Sequence, residues 1–147
     1  MKVYISSDHA GFKLKEALKK QLQKANYEVI DWGPQEYNKD DDYPKTTEKT
    51  VKHIAQNPNE KAILICKNGV GVTIFANRFK NVRAGLSWEV HHAQSHKIDD
   101  HTNILTLPAG YIKPKKAVKI ATAWLQTKGS NEKRHQRRIQ QIEELSS

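Results

Sequence analysis

A chain of 147 residues is long enough to bury the core of one domain, and its single cysteine excludes an intramolecular disulfide. The net charge of +9 is unevenly spread: Lys113 to Arg138 holds nine basic residues against the one acid Glu132, so a single segment carries eight of the nine excess charges. The opening Met-Lys-Val-Tyr-Ile-Ser-Ser-Asp reaches an acid too soon for a secretory leader, and no apolar run approaches a membrane span, so the expectation is one cytoplasmic domain over residues 1–147.

Val3 to Ser6 reads as a first strand, and Ser7-Asp8-His9-Ala10-Gly11 as a loop into a helix whose apolar face is Leu14, Leu18 and Leu22. That helix ends near Ala25-Asn26. Tyr27 to Asp31 makes a second strand, followed by a polar loop from Trp32 to Asp42 and a second helix that Pro44 suits in its first turn. Lys61 to Cys66 is unbroken and apolar after its lysine, the pattern of a strand covered on both faces. Lys67-Asn68-Gly69-Val70-Gly71 then turns the chain into a third helix. Val82 to Leu86 is the fourth strand, Glu89 to Lys97 a helix bearing His91, His92 and His96, and Asp99 to Asn103 a polar loop. Ile104 to Leu107 is the fifth strand, broken by Pro108-Ala109-Gly110. Two helices close the chain: Lys113 to Lys128, with Val118, Ala121, Trp124 and Leu125 turned inward, and the highly charged Asn131 to Leu145.

Strands alternating with helices predict an α/β fold in which a parallel sheet lies between two helical layers. Ligands in such folds bind beyond the carboxyl ends of the strands, where the winding direction reverses. With a strand order of 2-1-3-4-5 the reversal falls between the first and third strands, so the Asp8-His9 loop and the Cys66 loop share one crevice.

Cys66 stands where strand gives way to helix, beside the positive end of a helix dipole that favours a thiolate. The competing reading is a small buried hydrophobe. Gly69 and Gly71 let the backbone turn and offer amide N–H groups to a ligand, but the segment lacks the Gly-Lys-Ser/Thr ending of a phosphate loop and the third glycine of a dinucleotide fingerprint. The basic carboxyl-terminal stripe suits nucleic acid, a membrane surface, phosphorylated metabolites or plain solvation. Trp32, Trp88 and Trp124 are not interleaved with it as a single-strand platform requires, which ranks nucleic acid last. His92 and His96 have a zinc-chelating spacing without a Glu-x-x pattern or cysteine pair to support it, so no metal is expected.

Ser-Asp-His-Ala-Gly-Phe at 7–12, Asp-Tyr-Pro at 42–44, Ile-Cys-x-x-Gly-Val-Gly at 65–71, Ala-Asn-Arg at 76–78, Thr-Asn-Ile-Leu at 102–105 and Arg-His-Gln-x-Arg at 134–138 together resemble the type B ribose-5-phosphate isomerases and the related galactose-6-phosphate isomerase subunits. The likeness spans nearly the whole chain. It implies a Rossmann-like three-layer αβα sandwich that works as a homodimer or homotetramer, its last helix reaching a neighbouring subunit. It also implies cofactor-free aldose–ketose isomerisation of a phosphorylated sugar through an enediolate. In that reading Cys66, its pKa lowered by the helix terminus, moves the proton between the two carbons, and the amides of Lys67, Asn68, Gly69, Val70 and Gly71 hold the developing negative oxygen. Asp8 and His9 match residues that hold the sugar and its phosphate. Arg134 and Arg138 match phosphate-binding arginines supplied by the neighbouring subunit; four apart on a helix, they can converge on one dianion.

The pocket departs from the family in several places. Asp99 stands where the ring-opening histidine is found, with His101 and His96 as nearby stand-ins, and Asp100 replaces a neutral asparagine beside an anionic substrate. Lys67 replaces a glycine and Gly110 an arginine, so Lys67 is expected either to supply the missing charge or to pair with Asp99 or Asp100. Asn68 stands at a threonine position. Val72 stands where one branch of the family carries a glutamate base, which leaves Cys66 as the base here. A non-catalytic sugar-phosphate-binding protein, or one subunit of a hetero-oligomeric isomerase, is the alternative.

Overall fold

The computed structural model describes residues 1–146. The apolar runs form the parallel strands β1 (Lys2–Ser7), β2 (Glu28–Asp31), β3 (Lys61–Cys66), β4 (Ala84–Leu86) and β5 (Ile104–Pro108). Between and after them run α1 (Phe12–Lys24), α2 (Tyr43–Gln56), α3 (Val70–Ala76), α4 (Val90–Asp100), α5 (Pro114–Gln126) and α6 (Lys133–Leu145). Alternation along β3 divides the core. Ile63 and Ile65 face Leu14, Leu18 and Leu22 of α1, Ala93 of α4 and Trp124 of α5, whereas Ala62, Leu64 and Cys66 face Val51 and Ile54 of α2 and Val72 and Ala76 of α3. The three expected layers are therefore present. None of the described helices is long and apolar enough to cross a membrane.

The lateral order is 2-1-3-5-4, which corrects the expected 2-1-3-4-5. β5 lies between β3 and β4, with Ile65 opposite Leu107 on one side and Leu86 opposite Thr106 on the other. Burial explains the exchange. Every residue of β5 is buried, as an interior strand requires, while Ala84, Gly85 and Leu86 are only partly buried in a strand too short to offer much unpaired edge. The reversal between β1 and β3 survives this correction.

A second correction bears on Asp99 and Asp100, which belong to the last turn of α4 and not to a loop. The helix stops only at His101, which takes a left-handed φ of 48° and donates from Nε2 to the Ser130 carbonyl at 2.7 Å.

An ion cluster pins α1 to the end of β2. Lys15 is fully buried, with Nζ 2.5 Å from Asp31 Oδ2 and 2.8 Å from Glu16 Oε1, and Lys19 Nζ reaches the same Asp31 oxygen at 2.8 Å. Burial pushes the Asp31 carboxyl up, but the two ammonium groups outweigh it and leave the pKa lowered. A carboxyl held low stabilises the fold above its unfolded pKa and loses that contribution as pH falls through its folded pKa. Asp31→Asn should cost about 3 kcal/mol in urea unfolding at neutral pH, the lower end for a broken buried pair because Glu16 remains. The gap to wild type should shrink once pH falls below about 4; an equal gap at both pH values would show that the charge is not what matters.

Candidate active site

Ser7 is in register with Ile65, so the turns after β1 and β3 leave the carboxyl edge of the sheet side by side. The Asp8 N–H donates to the Ile65 carbonyl at 3.3 Å. Gly11 packs so closely that a Cβ there would stand 2.6 Å from that same carbonyl oxygen, which any larger residue would have to displace. Asp8 Oδ1 accepts from the Gly11 N–H at 3.0 Å, locking the turn. Burial raises the Asp8 carboxyl above its ordinary pKa, with the Gly11 N–H opposing it.

His9 projects from the turn with a third of its side chain exposed. Its Nδ1 lies 2.7 Å from Asp41 Oδ1, and its backbone N–H donates to the same oxygen at 2.8 Å. That hydrogen bond raises the His9 pKa and fixes which ring nitrogen faces away from the crevice wall. Asp41 Oδ2 is buried without a partner among the described residues. Sequence reasoning did not single out Asp41; its only signal is the acidic run Asp40-Asp41-Asp42 before Tyr43-Pro44, and nothing in that run distinguishes the middle residue.

Cys66 closes β3 with its side chain on the α2/α3 face and 4 % of the residue exposed, whereas Leu64 two positions earlier has none. It packs like a small hydrophobe, at the end of the strand where the core gives way to the following turn. Val72 is fully buried in the same cluster and brings no ionisable group there. Tyr43 covers the loop from above, so that a Cβ on Gly71 would stand 2.5 Å from its Cζ. Tyr43 also lay within a recognised motif without an assigned role.

Gly69 adopts φ 74°, and a Cβ there would press into Leu86 Cδ1, so the loop is shaped by glycine on two counts. Asn68 and Lys67 are exposed. The Asn68 Oδ1 accepts from the Val70 N–H at 3.0 Å, so this side chain and this amide serve the loop itself. Ala109 and Gly110 donate to the Cys66 and Lys67 carbonyls at 2.9 and 2.8 Å. A Cβ on Gly110 would stand 3.1 Å from Lys67 Cγ, so the lysine stem lies over the space that a side chain at 110 would fill.

Asp8, His9, Cys66 and the 67–71 loop are therefore brought together, but Asp99, Asp100, Arg134 and Arg138 are not. α4 runs back from the carboxyl edge, and Asp99 and Asp100 sit near the amino end of β5, beyond the length of β3, about 17 Å at 3.3 Å per residue. Pairing of Lys67 with either aspartate of the same chain is corrected on that ground. The Asp99 side chain is half exposed, and Oδ1 lies 3.6 Å from Nε2 of the buried His135. Arg134 donates from Nε to Glu132 at 2.7 Å, and Arg138 is exposed beside Ile142 and Leu145. Neither alternative histidine is free to replace a missing one. His101 is bonded to Ser130, while His96 Nδ1 is 2.8 Å from Thr102 Oγ1, and burial, aided by His92 and Lys97, pushes its pKa down to about 4.

A family profile described as Ribose/Galactose Isomerase matches residues 3–142. The chain is 32 % identical over 139 residues to a ribose-5-phosphate isomerase B of Mycolicibacterium paratuberculosis, covering 95 % of this chain and 87 % of that one. It superposes with a TM-score of 0.92 and 36 % identity on a ribose 5-phosphate isomerase from Thermotoga maritima, over 97 % of each chain. The TM-score is 0.93, at 32 % identity, against ribose-5-phosphate isomerase B from Mycoplasma genitalium with bound ribulose-5-phosphate, covering 98 % of this chain and 95 % of that one.

The Asp41 carboxylate predicts a specific titration. In Asp41→Asn the His9 pKa should fall back towards about 6.5, measured by NMR titration of the ring, whereas an unmoved value would show that Asp41 does not set it.

Proposed function

The chain belongs to the ribose/galactose isomerase family and is a sugar-phosphate isomerase, and from that premise we propose that it interconverts ribose 5-phosphate and ribulose 5-phosphate, or a closely related pair, with Cys66 as the base. The observation that carries this reading is the meeting of the Asp8-His9 turn and the Cys66 loop at the β1/β3 reversal. On the opened sugar, the Cys66 thiolate takes the proton from the carbon beside the carbonyl. The electron pair moves into a carbon–carbon double bond and the carbonyl oxygen becomes negative. Returning the proton to the former carbonyl carbon, while the oxygen proton changes place, completes the exchange of aldose for ketose. The first-turn amides of α3 have no helical acceptor; the Val70 N–H is taken by Asn68 Oδ1, and those that follow it are the donors for the negative oxygen. His9, its charge favoured by Asp41, and Lys67, whose stem covers Gly110, supply cations for the phosphate.

The remaining groups come from a second copy. Asp99, Asp100, Arg134 and Arg138 lie towards the opposite edge of the sheet from Cys66, so one chain cannot assemble them around one sugar. Exposed apolar side chains mark both halves: Val70 and Ile74 beside the cysteine loop, and Ile142 and Leu145 beside Arg138. A homodimer that covers both would complete two sites at once.

Cys66→Ser should lower kcat for ribose 5-phosphate by about 10²- to 10⁴-fold with little change in KM, in a coupled or direct absorbance assay. Turnover that survives loss of the thiol would falsify the assignment of the base. Mixing inactive Cys66→Ser with inactive Arg138→Ala after partial unfolding and reassembly should restore about a quarter of wild-type activity, because half of the dimers are mixed and each of those has one intact site. No recovery would mean that the arginine serves its own chain, and no turnover by wild type on pentose and hexose phosphates would favour the binding-protein alternative.

A further inference from the structure

The amino edge of the sheet holds a cavity that the isomerase reading leaves unused. It measures about 490 Å³ and lies beneath the starts of β3 and β5, walled on one side by the carboxyl end of α5. Lys61, Arg83, Lys97, His101 and Lys128 line it, and no carboxylate among the described residues does. Cys66 is at the far end of β3.

Lys97 is the informative residue. Only 6 % of it is exposed, its Nζ rests 4.3 Å from the centroid of the Trp124 ring, and it has no hydrogen-bond or carboxylate partner among the described residues. Buried lysines are normally paired. The other one in this chain, Lys15, obeys the rule with Asp31 and Glu16. Burial first, then the Lys61 and Arg83 charges, push the Lys97 pKa down to about 7, and burial and Arg83 lower that of Lys61 as well.

The neighbours are partly satisfied from within the fold. Arg83 pairs with Glu143 at 3.2 Å and donates from Nε to the Asp100 carbonyl at 3.0 Å, Lys61 donates to the Asn59 carbonyl at 2.9 Å, and His101 is bonded to Ser130. What stays unanswered is the positive charge itself, concentrated in a concave site where field lines focus. No aromatic face is open to stack a base, since Lys97 covers the Trp124 ring. The walls suit a compact, multiply charged oxyanion, with room for more than one phosphoryl group.

We propose that this cavity is a second anion site, taking a small oligophosphate with Lys97 as its innermost ligand. Isothermal titration of the full chain with inorganic pyrophosphate and triphosphate, at neutral pH and low salt, should show saturable binding of one anion per chain. Binding should persist in Cys66→Ser and in the double variant Arg134→Ala/Arg138→Ala, so that it stands or falls apart from the isomerase reading. Lys97→Met should weaken it by about tenfold or more, the loss of one charge-assisted hydrogen bond, and Lys128→Ala at the mouth gives a second test should the buried variant fold poorly. The titration of Lys97 Nζ, followed by nitrogen NMR, should move to higher pH when the site is saturated.

Three results would overturn the proposal. These are absence of saturation, binding unchanged by both lysine substitutions, and binding lost with the arginine pair. A steeply salt-dependent affinity for a single-stranded oligonucleotide, without saturation by pyrophosphate, would likewise assign the charge to a nucleic-acid backbone instead.

Discussion

The contact on which the site depends is the one between the turn after β1 and the end of β3. Two adjacent parallel strands place their carboxyl ends a single strand spacing apart, but side chains would normally hold the following loops away from each other. Glycine at position 11 removes that obstacle, and the Asp8 N–H closes the gap onto the Ile65 carbonyl. α1 departs to one face of the sheet and α3 to the other, the divergence that in such folds places the ligand beyond the strand ends. Every residue assigned to proton transfer or to holding the sugar on this chain reaches the crevice through one of these two turns.

The environment of Cys66 follows from that constraint. A strand covered on both faces delivers its last side chain to the boundary of the core, where hydrocarbon lies on one side and the polar turns on the other. Such a place keeps bulk water from the thiol while leaving it beside the amides that begin α3, a combination useful for moving a proton on and off carbon. The surrounding loop is closed by contacts that leave little freedom: Gly69 against Leu86, Tyr43 over Gly71, and the 109–110 backbone laced to Cys66 and Lys67.

Charge is divided between the two edges of the sandwich. At the carboxyl edge, His9 is placed by a specific partner, Asp41. At the amino edge Lys61, Arg83, Lys97 and Lys128 line one cavity, and Lys97 has the Trp124 ring beneath it but no hydrogen-bond or carboxylate partner among the described residues. Positions 67 and 110 share one space: the Lys67 stem lies where a Cβ at 110 would stand 3.1 Å from its Cγ.

Local pattern made much of this legible. The unbroken apolar run of β3, the four-residue spacing of Leu14, Leu18 and Leu22, and Pro44 in the first turn of α2 are properties of short stretches, and the layers and the β1/β3 reversal follow from them. The lateral place of β4 and β5 was not legible, because chain order does not state which strand tolerates an edge; that was decided by the complete burial available to Ile104–Pro108 and not to Ala84–Leu86. Asp41 and Tyr43 were missed for a related reason, since a loop residue gains its role from what lies across the gap. By itself the sequence determined the elements, their layering and the residues of the two turns, all of which rest on neighbours in the chain. Only the tertiary structure decided that Asp99 and Asp100 close a helix near the amino end of β5, away from Asp8, His9 and Cys66 of the same chain, because distance across a sheet is set by strand length and helix direction and not by spacing along the chain.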